Sequence, residues 1–140
     1  MAKKLAKAKL PGNNAKTSKS DPKAVAIVYN ARGMWSDDDL SDFITEQIGR
    51  AVFRDKTISF EWLSDDKKVA QCTELTTLDG ISYSGRTYYA HEQGEAKVDA
   101  TLYSNPRGHL LIGEGVWDDD GRTEAFMVQF FDAKEIDLPD

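Results

Sequence analysis

A chain of 140 residues, 40% hydrophobic and 30% charged, suits one domain with a buried core and is too short for two full ones. The charge is divided: residues 1–23 carry +6 from seven lysines and one aspartate, leaving −12 on the remainder, which argues against a folded surface that reads nucleic-acid phosphates. Cys72 is the sole cysteine, so an internal disulfide and a cysteine-built zinc site are excluded, and no apolar run is long enough for a membrane helix or a secretory signal.

Taken in chain order, residues 1–23 (MAKKLAKAKLPGNNAKTSKSDPK) hold little to bury beyond Leu5 and Leu10, and Pro-Gly and Asp-Pro interrupt them. This stretch is expected to be a disordered, lysine-rich tail making at most weak, salt-sensitive contacts. Order is expected from residue 24 to residue 140. Residues 24–29 (AVAIVY) are short, apolar and β-branched, as in a buried strand. Residues 30–33 read as a break.

The next segment carries helical spacing. Ser36 fits an N-cap, and Asp37, Asp38 and Asp39 fit a first turn where the helix dipole favours negative charge. Leu40, Phe43, Ile44, Ile48, Ala51 and Val52 then recur at three- and four-residue steps, predicting an amphipathic helix packed on a sheet.

From Lys56 onward the period becomes two. Ile58, Phe60 and Trp62 alternate with polar residues, as do Ala96, Val98, Ala100 and Leu102. Between them, residues 68–76 and 81–90 read as strands, the latter with Ile81, Tyr83, Thr87 and Tyr89 on one face. Residues 109–117 and 122–131 follow, joined by Asp118–Gly121 (DDDG), a strong hairpin signal. Short connections force consecutive strands to pair antiparallel. The expected fold is mainly β (α+β): a six-stranded antiparallel meander, curled into a small barrel or half-barrel, after one N-terminal strand and one amphipathic helix.

Little in the residues points to catalysis. His91 and His109 lack metal-ligand spacing, no Gly-x-Ser-x-Gly elbow is present, and Cys72 reads as a small buried hydrophobe. Asp118–Gly121 lacks the spacing and terminal glutamate of a calcium loop, so the turn reading prevails. Glu114 and Glu124 would lie on neighbouring strands, and His109, Glu92 and Tyr89 are the other groups an enzyme on this scaffold would have to recruit. No catalytic, metal or cofactor residue is assigned.

The aromatic residues support two readings. In the first, the domain is a non-enzymatic binding module whose concave face, lined by Trp62, Tyr83, Tyr89 and Trp117, holds a small apolar or aromatic ligand, with Arg86 supplying a directional charge for an anionic end. In the second, the rings are exposed rather than enclosed, and the chain is a protein-interaction module such as an adaptor, inhibitor or immunity-type partner. Its acidic surface and a sheet edge would then meet a basic protein or a second copy in a homodimer. Neither reading involves a membrane or specific nucleic-acid binding, and the lone cysteine fits a reducing, cytoplasmic setting.

Overall fold

The computed structural model describes residues 25–37, 40 and 42–137. Eight strands follow in chain order: β1 (Val25–Ser36), β2 (Ile44–Arg54), β3 (Thr57–Leu63), β4 (Val69–Thr77), β5 (Ser82–Tyr89), β6 (Glu95–Asn105), β7 (Gly108–Trp117) and β8 (Thr123–Asp137). Each pairs antiparallel with the next, and β8 returns to β1, closing an up-and-down barrel. The lysine-rich segment expected to be disordered lies outside the described residues.

The barrel confirms the β-rich meander and corrects it in two places. Among the described residues the predicted helix is absent: its expected N-cap Ser36 ends β1, and its residues from Ile44 onward form β2. Between the two strands Leu40 N bonds Asp37 O at 3.1 Å, but Leu40 then takes a left-handed φ of 57°, which ends the turn. The helical spacing was produced by a β-bulge. Ile48 pairs with Trp62 and Ala51 with Phe60, so β2 spends three residues where β3 spends two. A strand with one extra residue returns an apolar side chain to the core after three steps, as a helix does. Of the predicted stripe only Ile48 and Ala51 are buried; Leu40, Phe43 and Ile44 are exposed.

The second correction concerns residues 30–33, which continue β1. A register shift against β8 between Val28 and Asn30, with Asp132 at φ 53°, absorbs the irregularity that reads as a break. The strand count rises from seven to eight and the sheet closes completely.

The polar turns work as expected from their chemistry. Asp79 Oδ1 accepts from Ile81 N and Ser82 N, both at 2.8 Å, and Asp120 Oδ1 accepts from Arg122 N at 2.8 Å. Gly121, at φ 72°, supplies the left-handed residue that the Asp118–Arg122 turn needs.

The interior is filled by inward residues from all eight strands. Ile58, Phe60, Leu75, Val98, Leu111, Val128 and Phe130 form its centre, each 2% exposed or less. Small residues make room for large ones: a Cβ on Gly33 would lie 2.9 Å from both Trp62 Cζ3 and Ile48 Cδ1, so the indole needs glycine there. Among the described residues no helix is long and apolar enough to cross a membrane.

Candidate functional site

The two ends of the barrel differ. At the end reached by β1 C-terminally and β7 C-terminally, inward positions turn from aliphatic to aromatic and polar. Trp35, Glu46, Trp62, Gln71, Thr73, Thr87, Val98, Gly115, Trp117, Glu124 and Phe126 surround a cavity of about 30 Å³. That is room for one or two water molecules, or for a ligand of a few atoms if the mouth relaxes. All three tryptophans of the chain line it.

One wall is tied by hydroxyls. Trp62 Nε1 donates to Thr73 Oγ1 at 3.2 Å, and Thr73 Oγ1 donates to Thr87 Oγ1 at 3.0 Å. Thr87 passes the chain to the Cys72 carbonyl at 3.2 Å. On the opposite side Trp35 Nε1 donates to Glu46 Oε1. Alternation puts Glu124 inward, paired with Gly115, whereas Glu114 is exposed on the outer face; the two do not form a carboxylate pair. The carboxylate that shares the cavity with Glu124 is Glu46. Burial holds the Glu124 carboxyl above its ordinary range; Trp117 and Arg122 pull it back, and the charges of Asp37 and Glu46 push it further up.

Trp117 is the most constrained member. It is 1% exposed, Tyr89 stacks on it at 4.5 Å and 15°, and the Arg122 guanidinium lies 5.5 Å from its ring centre. Its Nε1 has no hydrogen-bond partner; Glu124 is close enough to be stabilised by it without accepting a well-formed bond. Arg122 caps the mouth: Nη2 donates to Tyr89 Oη at 3.3 Å, Nη1 lies 3.6 Å from Asp120, and Nε lies 3.5 Å from Glu124 without bonding geometry.

Of the residues proposed from sequence, Trp62, Trp117 and Tyr89 converge here. Tyr83 is buried toward the opposite end of β5, six residues or roughly 20 Å from Tyr89. Arg86 is on the outer face, 4.4 Å above the Tyr88 ring and ion-paired with Glu74 at 3.3 Å and Glu95 at 3.4 Å. Glu46 was missed because the helical reading put it on the polar side, and Trp35 because it fell between the expected break at residues 30–33 and the expected N-cap Ser36, outside any predicted strand. Arg122 was read only as a residue following a turn.

His109 sits at the other end. Its Nε2 is 3.0 Å from Tyr29 Oη, its Nδ1 is 2.6 Å from Ser104 Oγ, and its ring stacks on Phe53 at 4.9 Å. Burial lowers its pKa. Glu92 and His91 lie in the connection between β5 and β6, away from it. Among the described residues no group of three His, Cys, Asp or Glu side chains is arranged to hold a metal ion. Compared with known proteins, the chain matches no family model, no curated protein and no solved structure.

Proposed function

We propose that this barrel is a non-enzymatic binding domain that holds a small polar ligand in the tryptophan-lined cavity at its Trp117 end. The observation that carries the reading is the convergence of every tryptophan in the chain with two carboxylates on one cavity, where the buried Trp117 Nε1 lies near Glu124 but makes no well-formed hydrogen bond. An orphaned buried donor costs about 1–3 kcal/mol, an expense a folded core ordinarily avoids and a ligand acceptor removes. Glu46, Glu124 and Gln71 make the cavity more polar than an apolar ligand would want, and its volume limits the ligand to a few heavy atoms. The outward faces of β3 to β6 carry Glu61, Glu74, Arg86, Lys97 and Asp99 around an apolar interior, the reverse of a lipid-facing barrel.

The interaction reading keeps one observation in its favour. Met34, Met127 and Ile112 are register neighbours on the outer face of β1, β8 and β7, with Ile112 41% exposed. Closure removes the free sheet edge this reading had called on, so a basic partner or a second copy would have to use this face.

Gly115 supplies the test. A Cβ there meets only ordinary contacts, the nearest being Ala96 Cβ at 3.4 Å, so Gly115→Ala folds while placing a methyl at the cavity wall. Native mass spectrometry of the purified chain is expected to show a monomer carrying a small added mass that Gly115→Ala loses. A bare dimer, or an added mass indifferent to Gly115→Ala, refutes the cavity reading.

A further inference from the structure

Resting on that cavity reading, we propose that the ligand is a small organic ammonium ion bearing a nearby hydrogen-bond acceptor, and that it takes the place now held by the Arg122 guanidinium. Four independent features of the Trp117 end point to this chemistry.

The first is charge. Among the described residues, the four connections at this end, within 37–43, 64–68, 90–94 and 118–122, contain eight Asp or Glu against three Lys or Arg. Those at the opposite end, residues 55–56, 78–81 and 106–107, contain two of each. An acidic mouth over a low-dielectric cavity concentrates cations and repels anions. The second is the lining. Indole faces attract ammonium ions, and the two carboxylates, Glu46 and Glu124, supply the counter-charge.

The third is Arg122, which already behaves as a resident cation. It lies over Trp117 and beside Glu124, yet its side chain is 36% exposed and its Nε makes no hydrogen bond. The guanidinium is also held by Tyr89 Oη at 3.3 Å and Asp120 at 3.6 Å, both at the rim, so an incoming cation has to replace only its contacts with Trp117 and Glu124 inside the mouth. The fourth is the buried Trp117 Nε1, which lies near Glu124 but makes no well-formed hydrogen bond. A guanidinium has only donors, so Arg122 cannot satisfy it. A ligand that joins an ammonium group to a hydroxyl or carbonyl a few bonds away meets Glu124 with one end and Trp117 Nε1 with the other.

Protonated ethanolamine is the probe, because it has isosteres of every charge: neutral ethylene glycol, anionic glycolate, and propylammonium, which keeps the charge and lacks the acceptor. Each is titrated to millimolar concentration into the full-length protein while tryptophan emission is recorded. Ethanolammonium is expected to saturate, propylammonium to bind about tenfold more weakly, and the other two to leave emission unchanged. Glu124→Gln, which preserves shape, is expected to weaken ethanolammonium about tenfold or more, and Arg122→Gln to strengthen it several-fold by removing the competitor. Thermal unfolding confirms that both variants are folded.

If glycolate or ethylene glycol saturates as readily, the cavity reading stands and the ammonium assignment falls. If Arg122→Gln weakens binding, Arg122 is a ligand contact and the displacement is wrong. If none of the four probes alters emission, the ammonium assignment is overturned, and the added mass in native spectrometry separately decides whether the cavity binds anything.

Discussion

Thr73 and His109 show how single side chains set the properties of each barrel end. Thr73 Oγ1 accepts from Trp62 Nε1 and donates to Thr87 in a buried chain of hydroxyls. Thr73→Val keeps the volume and orphans the indole N–H, so it should destabilise the protein by about 1–3 kcal/mol in urea denaturation, whereas Thr73→Ser should restore most of the loss. Burial between Phe53 and Tyr29 lowers the His109 pKa. A depressed folded pKa means that its contribution to stability is fully present above the unfolded value, about 6.5, and is lost as pH falls below it. Glu124, whose folded pKa is raised, acts in the opposite sense: its contribution falls as pH rises from the ordinary carboxylate range. Denaturation midpoints at about pH 7.5 and about pH 5 separate the two, since His109→Phe should show a smaller decline on acidification than the unaltered protein. An equal decline would mean that His109 does not titrate in this window.

At the scale of elements, β2 is the instructive strand. Its extra residue lies between Ile48 and Ala51 against β3, and the same stretch gives four steps from Gln47 to Ala51 where β1 has three from Tyr29 to Arg32. Deleting Gly49 would regularise both pairings while keeping Ile48 and Ala51 inward. The deletion should therefore fold, at a cost of about 1–3 kcal/mol from lost twist and local repacking. One residue inserted between Phe60 and Glu61 of β3 would turn Trp62 outward, and should abolish cooperative thermal unfolding. The segment misled sequence reading because its apolar residues satisfy helical spacing locally, and periodicity contains no information about a bulge. The other strands were legible where alternation is strict. Ile58, Phe60 and Trp62, and Ala96, Val98, Ala100 and Leu102, are all buried as their period-two pattern implies.

For the molecule as a whole, closure is decided by β1 and β8, which sit about a hundred residues apart in the chain and share the longest ladder of paired residues. Phe130 on β8 packs against Tyr29, Phe53 and Phe60, from three other strands, and is completely buried. Phe130→Ala should cost about 3–5 kcal/mol and should show it in the Tm, because the cavity it leaves is lined from both sides of the closing seam.

Sequence alone determined the chain's β-rich character, most strand positions, the acidic turns and the inward faces of the regular strands. All of these follow from local alternation and turn chemistry, which act over a few residues. Closure into eight strands, the strand identity of β2 and the convergence of Glu46 and Glu124 on one cavity were decided only in three dimensions. Each depends on register between segments distant in sequence. Both Arg86 and Arg122 lie over an aromatic ring, but only the closed barrel settles that Arg122 faces the cavity and Arg86 the outside.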